Sequence, residues 1–302
     1  MPAHDPVSGD PVAAPCRHAA AGPGCCLVGR LRLTRIGERG FTGDPRGGRS
    51  DPGRAFGGGL IAQALLAAGA TVPDGLAPGS LHAYFVSPGD PGTPMRYTVA
   101  ALGAGRSSAL RQVTAGQDGS TRLTMIASFR RFGDTGTGHQ RTAPAIGHPP
   151  DEADGGDGCR CGRGDVTCGL ALHPAEAPDD PGAAPGAHRA SWVRARHDLG
   201  DRPLWHAAVL SYLSDIATNR TVDQPHRHEP GRRRAASVDH AVWFHQPFRA
   251  DEWLWHGQRS PVYAGGRGIC QGEFYDRTGR LVASCAQEVS LRRVTAAPPE
   301  PT

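Results

Sequence analysis

The sequence has no lysine: all 33 of its basic residues are arginine. Schiff-base and lysine general-base chemistry are thereby excluded. Hydrophobic residues are scarce at 38%, and no run approaches the ~20 apolar residues that span a bilayer. The opening "MPAHDPVSGDPVAAPCRHAAAGPGCC" lacks the apolar stretch of a signal peptide. The expectation is a cytoplasmic protein whose eight cysteines are reduced thiols. Basic charge is not concentrated either: the net charge is +4 and the longest basic run is Arg232 to Arg234. No basic face with interleaved aromatics is offered to nucleic acid.

Several catalytic signatures are missing as well. There is no G-x-S-x-G elbow for a serine hydrolase. The triple glycine at Gly57, Gly58 and Gly59 lacks both the Lys-Ser/Thr of a P-loop and the pattern of a dinucleotide fold. Close packing of a helix on a sheet explains it better. "CRCGRGDVTC", Cys159 to Cys168, does not have zinc-ligand spacing, so no metal is assigned. No cofactor is called for.

Glycine and proline, by contrast, are abundant, with 42 and 27 of 302 residues. They concentrate in residues 1–25, read as a disordered tail, and in 134–188, read as a linker. Residues 295–302 form a second tail. Two patterned blocks remain, 26–133 and 189–294.

The blocks share a plan. In the first, "FGGGLIAQALLAAGATV" reads as a helix with Leu60, Ile61, Ala64, Leu65 and Ala68 on one face. Four strand-like segments follow. In the second, "LWHAAVLSYLSDIATN" puts Trp205, Ala208, Val209, Tyr212, Leu213 and Ile216 at helical spacing, again followed by strands. "HAYF" is echoed by "HAVWF", and "QDGSTRLTMIASF" by "DRTGRLVASCAQE". The reading is an α+β protein made by internal duplication, each half a helix wrapped by an antiparallel sheet.

Against this repeat, a few polar residues stand out. Asp215 falls on or beside the apolar stripe of the second helix, where a carboxylate is costly unless paired or used. Gln287 is the one amide in phase with Leu281, Ala283, Cys285, Val289 and Leu291, and a buried amide needs partners. The matching position of the first half, aligned on the Arg-Leu pair, is Phe129. Ser237 opens "SVDHAVWFHQPF", in phase with Asp239, Ala241 and Trp243, where a serine is ordinarily a turn residue. Asp239 and His240 are adjacent, so on a strand they point to opposite faces and make no couple.

The blocks "FGGGLIAQAL", "LHAYFVSPGDPGTPMRYTV", "SDIATN", "DHAVWFHQPFRADEWLW" and "GRGICQGEFYDRTGRLVASCAQE" resemble the acyl-CoA thioesterase II family. The resemblance covers most of residues 27–132 and 190–293. It implies a double hotdog fold, two tandem helix-wrapped sheets forming one pseudo-dimeric unit. It implies hydrolysis of fatty acyl-CoA to free acid and CoA by a water held between Asp215, Ser237 and Gln287. Asp215 would be the general base, and the other two would orient the water. Substrate contacts would come from Gly58, Gly59, His82 and Arg267, and homo-oligomers of double hotdogs are expected. The sequence departs from the family at Gly59, where glutamine is usual, and at Ser237, where threonine is common.

Two other readings compete. A hotdog hydratase would show Asp and His in a D-x4-H pattern, which Asp239 with His240 and His245 does not match. A non-catalytic acyl-binding hotdog would need none of the three water-holding side chains. A thioesterase acting on a carrier-protein-bound chain is the remaining alternative.

Overall fold

The computed structural model describes residues 27–47, 51–133, 137–151, 166–177, 184–229, 231 and 233–293. The described residues open with a short helix, α1 (Leu27–Leu31), and two short strands, β1 (Thr34–Arg35) and β2 (Gly40–Gly43). A long helix, α2 (Gly57–Gly69), is followed by β3 (Ala77–Phe85), β4 (Met95–Ala104), β5 (Ser108–Gln117) and β6 (Ser120–Arg130). The second half supplies β7 (Leu170–Ala175), β8 (His188–Ala195), α3 (Pro203–Ser214) and α4 (Thr218–Asp223). It continues through β9 (Arg233–Ser237), β10 (Asp239–Phe244), β11 (Leu254–Ala264), β12 (Arg267–Tyr275) and β13 (Leu281–Arg293).

The duplication read from the echoes is visible in the strand order. The sheet runs β1-β2-β4-β5-β6-β3-β10-β13-β12-β11-β8-β7. Its two arms, β2-β4-β5-β6-β3 and β8-β11-β12-β13-β10, have the same internal order. They meet where β3 pairs antiparallel with β10, Ser80 opposite Trp243 and Tyr84 opposite Asp239. The result is two helix-wrapped antiparallel sheets fused into one pseudo-dimeric unit, a double hotdog.

The two long helices lie antiparallel between the arms. A Cβ on Gly69, at the end of α2, would come 2.5 Å from Leu204 near the start of α3. One on Gly58, at the start of α2, would come 2.7 Å from the carbonyl oxygen of Tyr212 near the end of α3. These glycines therefore serve close packing of helix on helix, where the sequence reading expected a helix on a sheet. The helices are buried more completely than a single apolar stripe would require. Every residue of Leu60–Ala68 and of Trp205–Ser214 is buried. One face of each helix meets its own sheet, while another meets the opposite helix. Burying a large aliphatic side chain such as Ile61 or Leu65 contributes about 1.5–3 kcal/mol.

Residues 134–188, read as a linker, are not all connection. Leu170 and Ala171 are buried, and β7 pairs antiparallel with β8 along the sheet edge. An edge strand tolerates Pro174, which has no N–H to donate. Residues 137–151 also cross the outside of the second arm. There the Gln140 side chain bonds both the carbonyl of Gly279 and the amide of Leu281, and Arg141 pairs with Glu273. Composition misled here because short apolar pieces, docked on a preformed sheet, need no periodic pattern of their own. Cys159 and Cys161 lie outside the described residues, as do both tails. Among the described residues, no helix is long and apolar enough to cross a membrane.

Candidate active site

Asp215 is not within the helix but caps its C-terminal end, and it is 8% exposed. Ala217, two residues on, has φ 69°, a left-handed conformation that turns the chain from α3 into α4. The turn leaves Thr218 beside Asp215: the Thr218 hydroxyl lies 3.2 Å from the Asp215 carbonyl oxygen and 3.5 Å from Oδ1. The Gly58 amide at the start of α2 donates to Oδ2 at 2.7 Å. The carboxylate thus stands at an unfavourable helix C-terminus and is compensated by the N-terminus of the helix from the other half.

Gly57 keeps this approach open, because a Cβ there would sit 3.0 Å from Oδ2 and 2.9 Å from the Phe85 ring. Burial pushes the Asp215 carboxyl above its ordinary range. His240, the Gly58 amide, Gln287 and Thr218 oppose that rise. A carboxylate raised by burial is a better base near neutral pH than a solvated one.

Gln287 is 1% exposed on β13 and has all its polar groups satisfied. Its Nε2 donates to Thr218 Oγ1 and to Ser237 Oγ, both at 2.8 Å. Its Oε1 lies 2.5 Å from Nδ1 of His240. Asp215, Thr218, Gln287 and Ser237 therefore form one connected polar group in an apolar interior. The structure brings together the three residues read as holding the water.

One expectation from the strand pattern is corrected. Ser237, read in phase with Trp243, and His240, read on the opposite face, both meet the Gln287 carboxamide. The strand is interrupted at Val238: Ser237 ends β9, opposite Val289, and β10 begins at Asp239. The irregularity resets the alternation and is held by Glu288, whose carbonyl accepts from the Val238 amide and whose amide donates to Asp239 Oδ1. From Asp239 onward the reading stands, with His240 buried and Trp243 exposed.

The four expected substrate contacts divide. Gly58 belongs to the site through its amide. Gly59 lies in the same turn but faces Tyr212, 3.7 Å from where a Cβ would be, and lines a narrow cleft with Phe56, Tyr212 and Arg46. His82 and Arg267 are not gathered with the others. His82 lies on β3 opposite Ala241, and its ring meets Trp243 edge-on at 5.1 Å on the outer face of the sheet. Arg267 pairs with Glu288, which alternates with inward-facing Gln287 and so marks the outer face too.

A cleft of about 570 Å³ also opens on that outer face, lined by Trp243, Ser284, Ala286 and Glu273, but by none of Asp215, Ser237 and Gln287. Sequence reasoning missed Thr218, Ser214 and His240. Thr218 and Ser214 sit within three residues of Asp215 and gave no pattern. His240 was set aside because its neighbour Asp239 could not couple to it, and its actual partner is 47 residues away.

Two families match the two halves. Residues 46–130 match the acyl-CoA thioesterase N-terminal domain, and residues 145–291 match the acyl-CoA thioesterase C-terminal domain. Acyl-coenzyme A thioesterase 8 of Mus musculus is 33% identical over 257 residues, 79% of this chain and 80% of the mouse protein. Acyl-CoA thioesterase 2 of Haemophilus influenzae is 32% identical over 288 residues, 88% of this chain and 96% of that protein. Among solved structures, an acyl-CoA thioesterase II from Mycobacterium marinum superposes with a TM-score of 0.74 at 30% identity, covering 89% of this chain and 98% of that one.

Proposed function

The chain belongs to the acyl-CoA thioesterase II family, and on that premise we propose that it hydrolyses fatty acyl-CoA to free acid and CoA by direct attack of water. The observation that carries this reading is the cross-half site in which Asp215, Gly58, Thr218, Ser237 and Gln287 converge. Asp215 takes the proton of the attacking water. Ser237 keeps a hydroxyl hydrogen to give, because it already accepts from Gln287, and so it can fix the water or the thioester carbonyl.

The first-turn amides of α2 carry the positive end of a helix dipole toward the charge that develops on the carbonyl oxygen. No covalent acyl-enzyme is needed, since the water activated by Asp215 attacks the thioester carbon directly. Gly59, with Phe56 and Tyr212, lines the narrow cleft beside the same helix turn and belongs to the acyl side of the substrate site. A non-catalytic binder would gain nothing from a buried carboxylate held by four polar neighbours, whose burial costs free energy.

The test is release of free CoA from short, medium and long acyl-CoAs, with Asp215→Ala measured alongside. Turnover that falls by about 10²–10⁴-fold in the variant is expected of a lost general base. A folded wild-type protein inactive on every acyl-CoA would overturn the assignment. Activity on acyl-carrier protein alone would redirect it to that substrate.

Assembly into homo-oligomers is part of the same proposal. It rests on the outer sheet face, where Tyr84, Ile126 and Trp243 are 62%, 41% and 39% exposed. Light scattering that returns the mass of a single chain at micromolar concentration would refute it.

A further inference from the structure

We propose that His240 is a positioning residue for the hydrolytic site: its ring, as the Nδ1–H tautomer, locks the Gln287 carboxamide so that the amide hydrogens face Ser237 and Thr218. The inference rests on the thioesterase reading for its kinetic consequence, and on hydrogen-bond accounting for its geometry.

Gln287 Nε2 has two hydrogens, and two hydroxyl oxygens stand 2.8 Å from it, those of Thr218 and Ser237. Oε1 is therefore the atom that faces His240 Nδ1 at 2.5 Å. Two acceptors do not approach so closely, so Nδ1 carries a hydrogen and donates it. The ring is 1% exposed, and burial pushes its pKa below the ordinary histidine value. The neutral ring then has a bare Nε2. The Ser214 hydroxyl lies 2.7 Å from it and supplies the hydrogen it accepts. Ser214 Oγ also lies 2.9 Å from the carbonyl oxygen of Ser211, the alternative acceptor for the same hydrogen. His240 thus sets the amide orientation and Gln287 the direction of the Ser237 and Thr218 hydroxyls, while the Ser214 hydroxyl, able to donate or accept, follows the ring.

The consequence follows from reversing one link. With the hydrogen on Nε2, the carboxamide would turn over and present Oε1 to both hydroxyls. Ser237 would then donate to Gln287, and would have no hydrogen left for the water or the thioester. Neither Ser214 nor His240 touches substrate, so their loss acts on kcat more than on KM.

Long-range 1H–15N spectra of the histidine rings decide the tautomer directly, with the His240 signals identified by their loss in His240→Asn. A hydrogen on Nδ1 with a bare Nε2 is the expected pattern. A hydrogen on Nε2 with a bare Nδ1 overturns the proposal, whether or not the protein turns over any thioester. Kinetically, His240→Leu should lower kcat by about 10–100-fold with KM changed less than about twofold. His240→Asn, whose side-chain amide can replace the Nδ1–H donor, should recover most of the loss. Wild-type kcat in His240→Leu, or an equal loss in a His240→Asn variant that melts like the wild type, overturns it. Absence of acyl-CoA turnover in the wild type would defeat the functional assignment and leave the ring spectra to judge this inference.

Discussion

At the scale of single residues, Asp215 combines two demands that conflict. A buried carboxylate is a stronger base but a costly one to ionise. Its folded pKa lies above the unfolded value of about 3.9, so the favourable contribution of the protonated form is complete below that pH. That contribution is lost as pH rises through the folded value. Asp215→Asn should therefore unfold at a higher temperature than the wild type at neutral pH, with the gap closing in acid. A gap that persists unchanged at pH 3 would show that ionisation is not its cause. Activity should fall on the acid side with a midpoint above that of an ordinary carboxylate, and Asp215 would be excluded as the base if the limb lay at or below about 4.

His256 acts in the opposite sense. Burial, with His240 nearby, pushes it down to about 3, and the ring is packed flat on Phe274 at 3.9 Å. A depressed folded pKa gives stability that is present above the unfolded value of about 6.5 and is lost as pH falls toward 3. Urea unfolding between pH 6.5 and 4 should show wild-type stability dropping more steeply than that of His256→Leu, by up to about 1.4 kcal/mol per pH unit. Parallel curves would remove His256 from the acid response.

At the scale of elements, the start of α2 does three things with three glycines, and only two of them need to be glycine. A methyl at Gly58 would press the Phe56 ring and the Tyr212 carbonyl at 2.7 Å each. Gly58→Ala should cost about 1–3 kcal/mol and lower kcat by displacing the amide that holds Asp215. At Gly59 a methyl meets nothing nearer than 3.7 Å. Gly59→Ala should fold at least as stably, gaining up to ~1 kcal/mol from helix propensity, and keep kcat within about twofold. Equal damage from the two substitutions, by thermal melting and CoA release, would contradict this division.

The other informative element is the segment between α3 and β10. Its counterpart in the first half, between α2 and β3, is a brief turn. Here it contains α4 and β9, and it contributes Asp215, Thr218 and Ser237. The proposed chemistry therefore sits where the repeat is broken, and Phe129, fully buried, occupies the place that Gln287 has in the other arm.

At the scale of the whole molecule, neither half is complete. β3 and β10 hydrogen-bond across the junction, and one apolar core runs from Leu27 through both long helices to Cys285. The proposed base, Asp215, and the Gly58 amide that holds it come from different halves. Unfolding should accordingly be a single calorimetric transition, with equal calorimetric and van't Hoff enthalpies. Two resolved transitions would mean that the halves are separate folding units.

The sequence by itself determined the class of fold, because the repeat is written in local periodicities: two helices, each followed by strands with matched turns. It also singled out Asp215 and Gln287, since a polar side chain on an apolar face is visible wherever the period is known. Ser237 was legible only through family resemblance, for a serine at a strand start looks like any other. What the tertiary structure alone decided is the company these residues keep. The amide of Gly58 reaches Asp215 across 157 positions, and His240 reaches Gln287 across 47. The break at Val238, which turns Ser237 and His240 toward one carboxamide, depends on Glu288 of a distant strand. Such contacts carry no period. They are fixed by the antiparallel packing of α2 on α3 and by the register of β9 and β10 on β13, which no local pattern encodes.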